Sequence, residues 1–208
     1  MALSSGQAFD GSYSYSHTGY GDSELWGAPF IDCPEIKSTG WFTGHVYFET
    51  MPNTASTENA FWATEYESEI YGEGHKSGLS LYLDVYTAPD SVVLKCPGME
   101  ALCKGTHRYT VVSGVTTGQW YTYTVYWDLP SSVADGRIDV WWDGVHVVDE
   151  DAVETLAGPI WWWYGTNRIY SGMIAWHSFF SAGKVFYTDA LEDCVCKIVG
   201  NVTPVPPP

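Results

Sequence analysis

Basic residues are scarce. Lys and Arg number 9 against 25 Asp and Glu, a formal charge of −16 over 208 residues. A surface of that sign repels phosphate backbones and anionic lipid, which argues against nucleic acid and membrane surfaces as partners. It also disfavours a strongly anionic substrate, unless a local basic pocket receives it. Long apolar runs are missing as well, since none approaches the ~18 residues of a membrane span. The opening residues, MALSSGQAFDGSY, lack the basic and apolar stretches of a signal peptide, and the expectation is a mature secreted chain behind an added initiator Met. No Cys/His spacing fits a zinc site, which removes a metal–thiolate centre. βαβ spacing and internal repeats are absent, and a parallel sheet is excluded with them.

Strand formers dominate what remains. There are 15 Tyr, 11 Trp and 8 Phe, with abundant Thr and Val, while 21 Gly and 11 Pro supply turns. Strands are expected near Gln7–Tyr15, over Lys37–Thr50, across the stretch beginning at Asn59, and over Leu79–Thr87. In the last of these Leu79, Leu81, Leu83 and Val85 alternate with Tyr82, Asp84 and Tyr86, so one side faces a core. Further strands are expected over Arg108–Val112, Gly118–Leu129, Ile160–Tyr164, Arg168–Phe180 and Val185–Val199. Arg137–Val148 reads as a hairpin turning at Asp143-Gly144. Residues 16–30 read as an irregular loop, and residues 150–158 as a short helix or loop. Short turns between many strands point to an all-β, two-sheet antiparallel jelly-roll sandwich over residues 1–199. The Pro-rich residues 200–208 read as the start of a linker to another module.

One stretch carries concentrated chemistry. EYESE places Glu65, Glu67 and Glu69 at every second position, which on an extended strand share one face. Carboxylates so aligned raise each other's pKa. Glycoside hydrolysis uses such a contrast, because it needs one carboxyl protonated and another ionised. The excess of Trp and Tyr suits a sugar-binding groove, where flat rings stack on pyranose faces and polar tips meet water. Cys96 and Cys103 bracket a loop that a disulfide could close. Cys194 and Cys196 are poorly placed to bond each other; one of them could reach Cys33, leaving a fifth thiol.

With these residues in view, the chain resembles the concanavalin A-like jelly rolls, and within them the family 16 glycoside hydrolases. That family carries E-x-D-x-E followed by glycine; EYESEIYG has the spacing, with Glu67 where the Asp belongs. Gly44, Tyr47, Phe48, Pro52 and Ala60-Phe61-Trp62 are similar to the family's upstream order. LYLDVYT and GQWYTYTVYWDLPSSVADGRIDVWWDGVHV are similar to strands downstream, and VFYTDALEDCVCKI to the closing strand. The resemblance covers about residues 40–195 and implies Glu65 as nucleophile, Glu69 as general acid/base and Glu67 as their helper.

Two further readings share the fold. A polysaccharide lyase would draw on His45, Tyr82, Arg168, His177 and Tyr187, with Tyr as general base and acid and Arg or His neutralising a uronate carboxyl. A non-catalytic carbohydrate-binding module would use Trp62, Trp120, Trp141, Trp142, Trp161, Trp162, Trp163 and Trp176 as stacking rings. The leading expectation is a secreted, monomeric, retaining endo-glycoside hydrolase. Its polysaccharide would be held by His45, Trp62, Tyr82, Arg168, Trp176 and His177. Neither chemistry requires a cofactor, but fold analogy points to a structural Ca²⁺ at Asp10 and Asp189, oxygen ligands that suit that ion.

Overall fold

The computed structural model of the protein describes residues 2–9, 11–12, 14–18, 30–37, 39–51, 59–66, 76–84, 91–96, 107–128, 136–153, 166–171 and 185–189. Among them there is no helix. Strands are numbered in chain order. One sheet has seven, in the order β1 (Ala2–Ser4), β2 (Ser14–Thr18), β13 (Val185–Asp189), β4 (Thr39–Phe48), β9 (Trp120–Asp128), β10 (Gly136–Trp142) and β11 (Val145–Val153). The other has six: β3 (Phe30–Lys37), β12 (Thr166–Ser171), β5 (Asn59–Tyr66), β6 (Lys76–Asp84), β7 (Ser91–Cys96) and β8 (His107–Val112). All the pairings are antiparallel.

Period-two patterning builds the core between the sheets. On β4, Phe42, Val46 and Phe48 point inward, and on β9 Tyr121, Tyr123, Val125 and Trp127 do the same. Phe61, Leu81, Leu83 and Val92 answer from the six-stranded sheet. The Phe61 ring lies 5.7 Å from Phe48 and 5.4 Å from Tyr123, both edge-on, which ties the layers together. Two inward positions on β4 are glycines because large rings occupy their space. A Cβ on Gly40 would sit 2.5 Å from the Trp127 ring, and one on Gly44 would sit 2.7 Å from the Tyr123 hydroxyl.

The Asp143-Gly144 turn forms as expected, with φ of 48° and 77°, the left-handed pair a two-residue hairpin requires. Asp143 clamps the turn to β9: its Oδ1 accepts from the Thr122 amide at 2.8 Å, and its own amide donates to the Thr122 carbonyl at 2.8 Å.

Several boundaries differ from expectation. The first strands are β1 and Ser14–Thr18 rather than Gln7–Tyr15. Phe30–Lys37 forms a strand of its own upstream of β4, with Pro34 tolerated because β3 is a sheet edge. Residues 150–153 continue β11 instead of entering a helix or loop, held by pairing of Glu150 and Val153 with β10.

Candidate functional site

The six-stranded sheet carries one candidate surface. Leu81 and Leu83 face the core, so positions 80 and 82 fall on the outer face of β6. Backbone pairing extends the row of Ser80 in both directions. Ser80 pairs with Ala63 of β5, which pairs with Tyr170 of β12. On the other side Ser80 pairs with Lys95 of β7, which pairs with Arg108 of β8. A neighbouring row holds Glu65 opposite Arg168, and Arg168 opposite Asp32 of β3. Arg168 and Tyr170 are two apart on β12, and so belong to one face. Pairing between β5 and β6 shifts at Ala60/Trp62 and at Ala63/Glu65, irregularities that bend a strand locally.

Charge is unequally divided between the sheets. The six-stranded sheet carries five basic residues, Lys37, Lys76, Lys95, Arg108 and Arg168, against four acidic ones, Asp32, Glu35, Glu65 and Asp84. The seven-stranded sheet carries Arg137 against Asp128, Asp139, Asp149, Glu150, Asp151 and Asp189. A chain of −16 thus has one sheet near neutrality.

The outer face of the seven-stranded sheet presents a different chemistry. His45 Nδ1 and Thr122 Oγ1 lie 2.9 Å apart, as do the hydroxyls of Thr43 and Thr124. Phe9, 45% exposed, stacks on the His45 ring at 3.6 Å between centroids and meets Trp120 edge-on at 5.9 Å. Tyr47 adds to this aromatic group, 5.5 Å from Trp120.

A charged cluster lies on β10 and β11. The Asp139 carboxylate is fully buried. It accepts two bonds from Arg137, at 2.7 and 2.8 Å, and lies 2.9 Å from His146 Nε2. Arg137 also donates to Asp149 at 2.8 Å, and the Trp141 ring stacks on His146 at 4.5 Å. Asp139, His146 and Asp149 offer ligand atoms within 4.8 Å of one another. The Arg137 guanidinium already supplies their cation, so this donor set suits an ion pair better than a metal. Beside it, the Tyr126 hydroxyl is held above its ordinary pKa of 10.0, chiefly by burial and then by Asp128 and Asp139, with Arg137 opposing.

The structure divides the residues singled out in the sequence. Glu65, Trp62, Tyr82 and Arg168 lie on three adjacent strands, β5, β6 and β12. Trp62 pairs with the core residue Leu81, while Phe61 is the extra residue of a bulge. His45, Trp120, Trp141, Trp142, Tyr187 and Asp189 lie in the other sheet, so the lyase set is divided: Tyr82 and Arg168 in one sheet, and His45 and Tyr187 together in the other, on the paired strands β4 and β13, where Tyr187 pairs with Tyr47, two positions from His45. Trp142 faces the core, and Trp141 is nearly buried. Asp189 pairs with His45, and Phe9, which precedes Asp10, stacks on that histidine. Glu67, Glu69, Asp10, Trp161, Trp162, Trp163, Trp176, His177, Cys103, Cys194, Cys196 and residues 200–208 lie outside the described residues. Tyr170, Lys95 and Arg108 escaped the sequence reading.

The described residues form an all-β, two-sheet antiparallel jelly-roll sandwich. No family model and no curated protein matches the chain. Among solved structures it is similar to the endo-β-1,4-glucuronan lyase of the fungus Trichoderma reesei, with 11% identity and a TM-score of 0.58 over 90% of this chain and 83% of that one. It is also similar to a variant of the alginate lyase Aly36B bound to an alginate trisaccharide, with 15% identity and a TM-score of 0.58 over 85% and 81% of the two chains. The cellulose-induced protein Cip1 follows, with 12% identity and a TM-score of 0.54 over 90% and 82%. At these identities the likeness is one of fold.

Proposed function

We propose that the protein is a secreted polysaccharide lyase that cleaves a uronate-containing glycan by β-elimination on the outer face of the six-stranded sheet. The observation that carries this reading is the division of charge. A polyuronate is repelled by a chain of −16, yet this one sheet sets Lys37, Lys76, Lys95, Arg108 and Arg168 against four acidic residues, Asp32, Glu35, Glu65 and Asp84, and is near neutral. The sandwich likeness to two uronan lyases supports elimination over the retaining hydrolysis expected of Glu65, Glu67 and Glu69.

Elimination needs two roles. A cation must neutralise the uronate carboxylate so that the C5 proton becomes acidic, a role we give to Arg168. A general base must take the C5 proton as the C4–O bond breaks, the C4–C5 double bond forms and the leaving oxygen gains a proton. Tyr170, two positions along the same strand, is the residue assigned to base and acid.

The test is a screen of polyuronates and neutral β-glucans that reads reducing ends and ultraviolet absorbance together. An absorbing, unsaturated product from a polyuronate, lost in Tyr170→Phe and Arg168→Ala but retained in His45→Ala, is expected. Reducing ends from a neutral glucan without absorbance, lost in Glu65→Gln, would overturn the lyase reading in favour of hydrolysis.

A further inference from the structure

The outer face of the seven-stranded sheet has an order of its own. On β4 and β9 the buried residues alternate with the half-buried ones, which point away from the core. Pairing sorts these outward residues into rows. Tyr47 lies opposite Trp120 at one end, and Trp41 opposite Tyr126 at the other. Between them His45 lies opposite Thr122, and Thr43 opposite Thr124. Rings therefore close both ends of a track whose middle carries hydroxyls and an imidazole. The two ring rows are six positions apart on β4, about 20 Å along an extended strand.

Cross-strand ring pairs strengthen a sheet in their own right. Phe9 is not explained that way, because it lies on no strand and outside the core. It is 45% exposed, stacked on His45 and edge-on to Trp120. It raises a wall beside the floor formed by Trp120 and Tyr47. Charge narrows what such a surface accepts. Arg137 is the one Lys or Arg on the strands of this sheet, and Asp139 and Asp149 already hold it. Six acidic residues share the sheet, so a ligand bearing carboxylates is repelled.

We infer that this face binds a neutral, β-linked glycan. Its sugar rings stack on Trp120, Tyr47 and Phe9 at one end and on Trp41 at the other. A pyranose has a flat apolar face and a rim of hydroxyls, which matches rings flanking a polar middle. His45 and the hydroxyls of Thr43 and Thr122 meet that rim, since a hydroxyl engaged in one bond keeps capacity for another. An extended chain is needed to reach from one ring row to the other. The site is one of binding, and no bond is broken there. The inference does not rest on the lyase reading: it concerns the other sheet and an uncharged ligand. A protein with both faces would hold a neutral polymer on one side while it acts on a polyuronate on the other.

Affinity electrophoresis of the full chain, in gels holding a soluble neutral β-glucan or a polyuronate, tests this. Retardation by the neutral glucan is expected, and it should persist in high salt, because stacking is not screened. Phe9→Ala and Trp41→Ala should each weaken it about five- to tenfold, the scale of one lost ring contact. Thr122→Val, which keeps the side chain's shape, should weaken it about threefold. Thermal unfolding of each variant shows that it is folded, and Phe9→Ala removes a ring that the core does not use. Titration of tryptophan fluorescence with neutral oligosaccharides should show affinity rising with length until both ring rows are spanned.

Three results would overturn the site. They are a parent that no neutral glucan retards, retardation unchanged in both folded ring variants, and affinity independent of oligosaccharide length. Retardation by the polyuronate alone, lost in high salt, gives the first of these and leaves the lyase reading standing. A parent held by the neutral glucan that eliminates no polyuronate removes the lyase reading and leaves this one.

Discussion

Arg137 is the residue whose removal should cost most for its exposure. Its guanidinium holds the buried Asp139 through two bonds and reaches Asp149 with a third contact. Arg137→Ala would leave the Asp139 carboxylate desolvated with His146 as its remaining partner. Breaking a fully buried pair by deleting one member costs about 3–5 kcal/mol. The Arg137 side chain is 32% exposed and its partner 1%, so water screens part of the interaction and the lower end applies. We expect a loss of about 2–3 kcal/mol, or roughly 5–10 °C in Tm for a chain of this length. Asp139→Asn should cost less, about 1–2 kcal/mol, because it removes the buried charge and leaves Arg137 able to hydrate and to hold Asp149. The double substitution should cost less than the two single losses together, by about 1 kcal/mol or more, since they share one interaction. Urea unfolding followed by tryptophan fluorescence supplies all three numbers. A loss under about 1 kcal/mol for Arg137→Ala, the range of an exposed pair, would refute the argument, as would simple additivity.

Two more expectations follow from the same sheet. Gly40→Ala and Gly44→Ala should each destabilise by about 1–3 kcal/mol, measured by chemical denaturation, because the added methyl meets the Trp127 ring or the Tyr123 hydroxyl head-on. The Tyr126 hydroxyl should ionise above 10.0 in an absorbance titration, a component missing in Tyr126→Phe. Its folded pKa is raised, so the stability it contributes is complete below the unfolded value and is lost as pH rises through the folded one. The parent should therefore lose stability above about pH 10 more steeply than Tyr126→Phe does, and equal slopes would contradict the assignment.

The fold was readable where side-chain period and turn chemistry agree. Phe42, Val46 and Phe48 on β4, and Leu81 and Leu83 on β6, sit in the core as two-residue alternation requires. Asp143-Gly144 turns the β10–β11 hairpin because its residues accept positive φ. β3 was hidden by Pro34, which reads as a break but is allowed on an edge strand. Residues 150–153 were hidden by acidic composition, which depresses strand propensity but not pairing with an existing neighbour. The site was the harder part, because it depends on register. Nothing local to Glu65 announces that Arg168 will pair with it, or that β12 will insert between β3 and β5. Nothing local to His45 announces that its strand belongs to the opposite layer from Arg168. Spacing along the chain groups residues within one strand; grouping them across strands needs the order of the sheet.

That order also changes what the net charge means. A formal −16 describes the field far from the molecule, where all charges act together. Within a Debye length of about 8 Å a ligand feels the nearest sheet instead. A jelly roll has two outer faces separated by a core, so acidic residues on one sheet weigh little on a glycan held against the other. Asp128, Asp139, Asp149, Glu150, Asp151 and Asp189 all lie in the seven-stranded sheet. With them on the far layer, the six-stranded sheet, five basic residues against four acidic ones, is locally near neutral. The sign of the whole chain would then slow the approach of a polyuronate, most of all at low salt. On the lyase reading, raising the salt should speed that approach while weakening the electrostatic hold on the bound chain. A rate that passes through a maximum with ionic strength is the signature of this arrangement, and a monotonic fall would mean that local contacts alone govern binding.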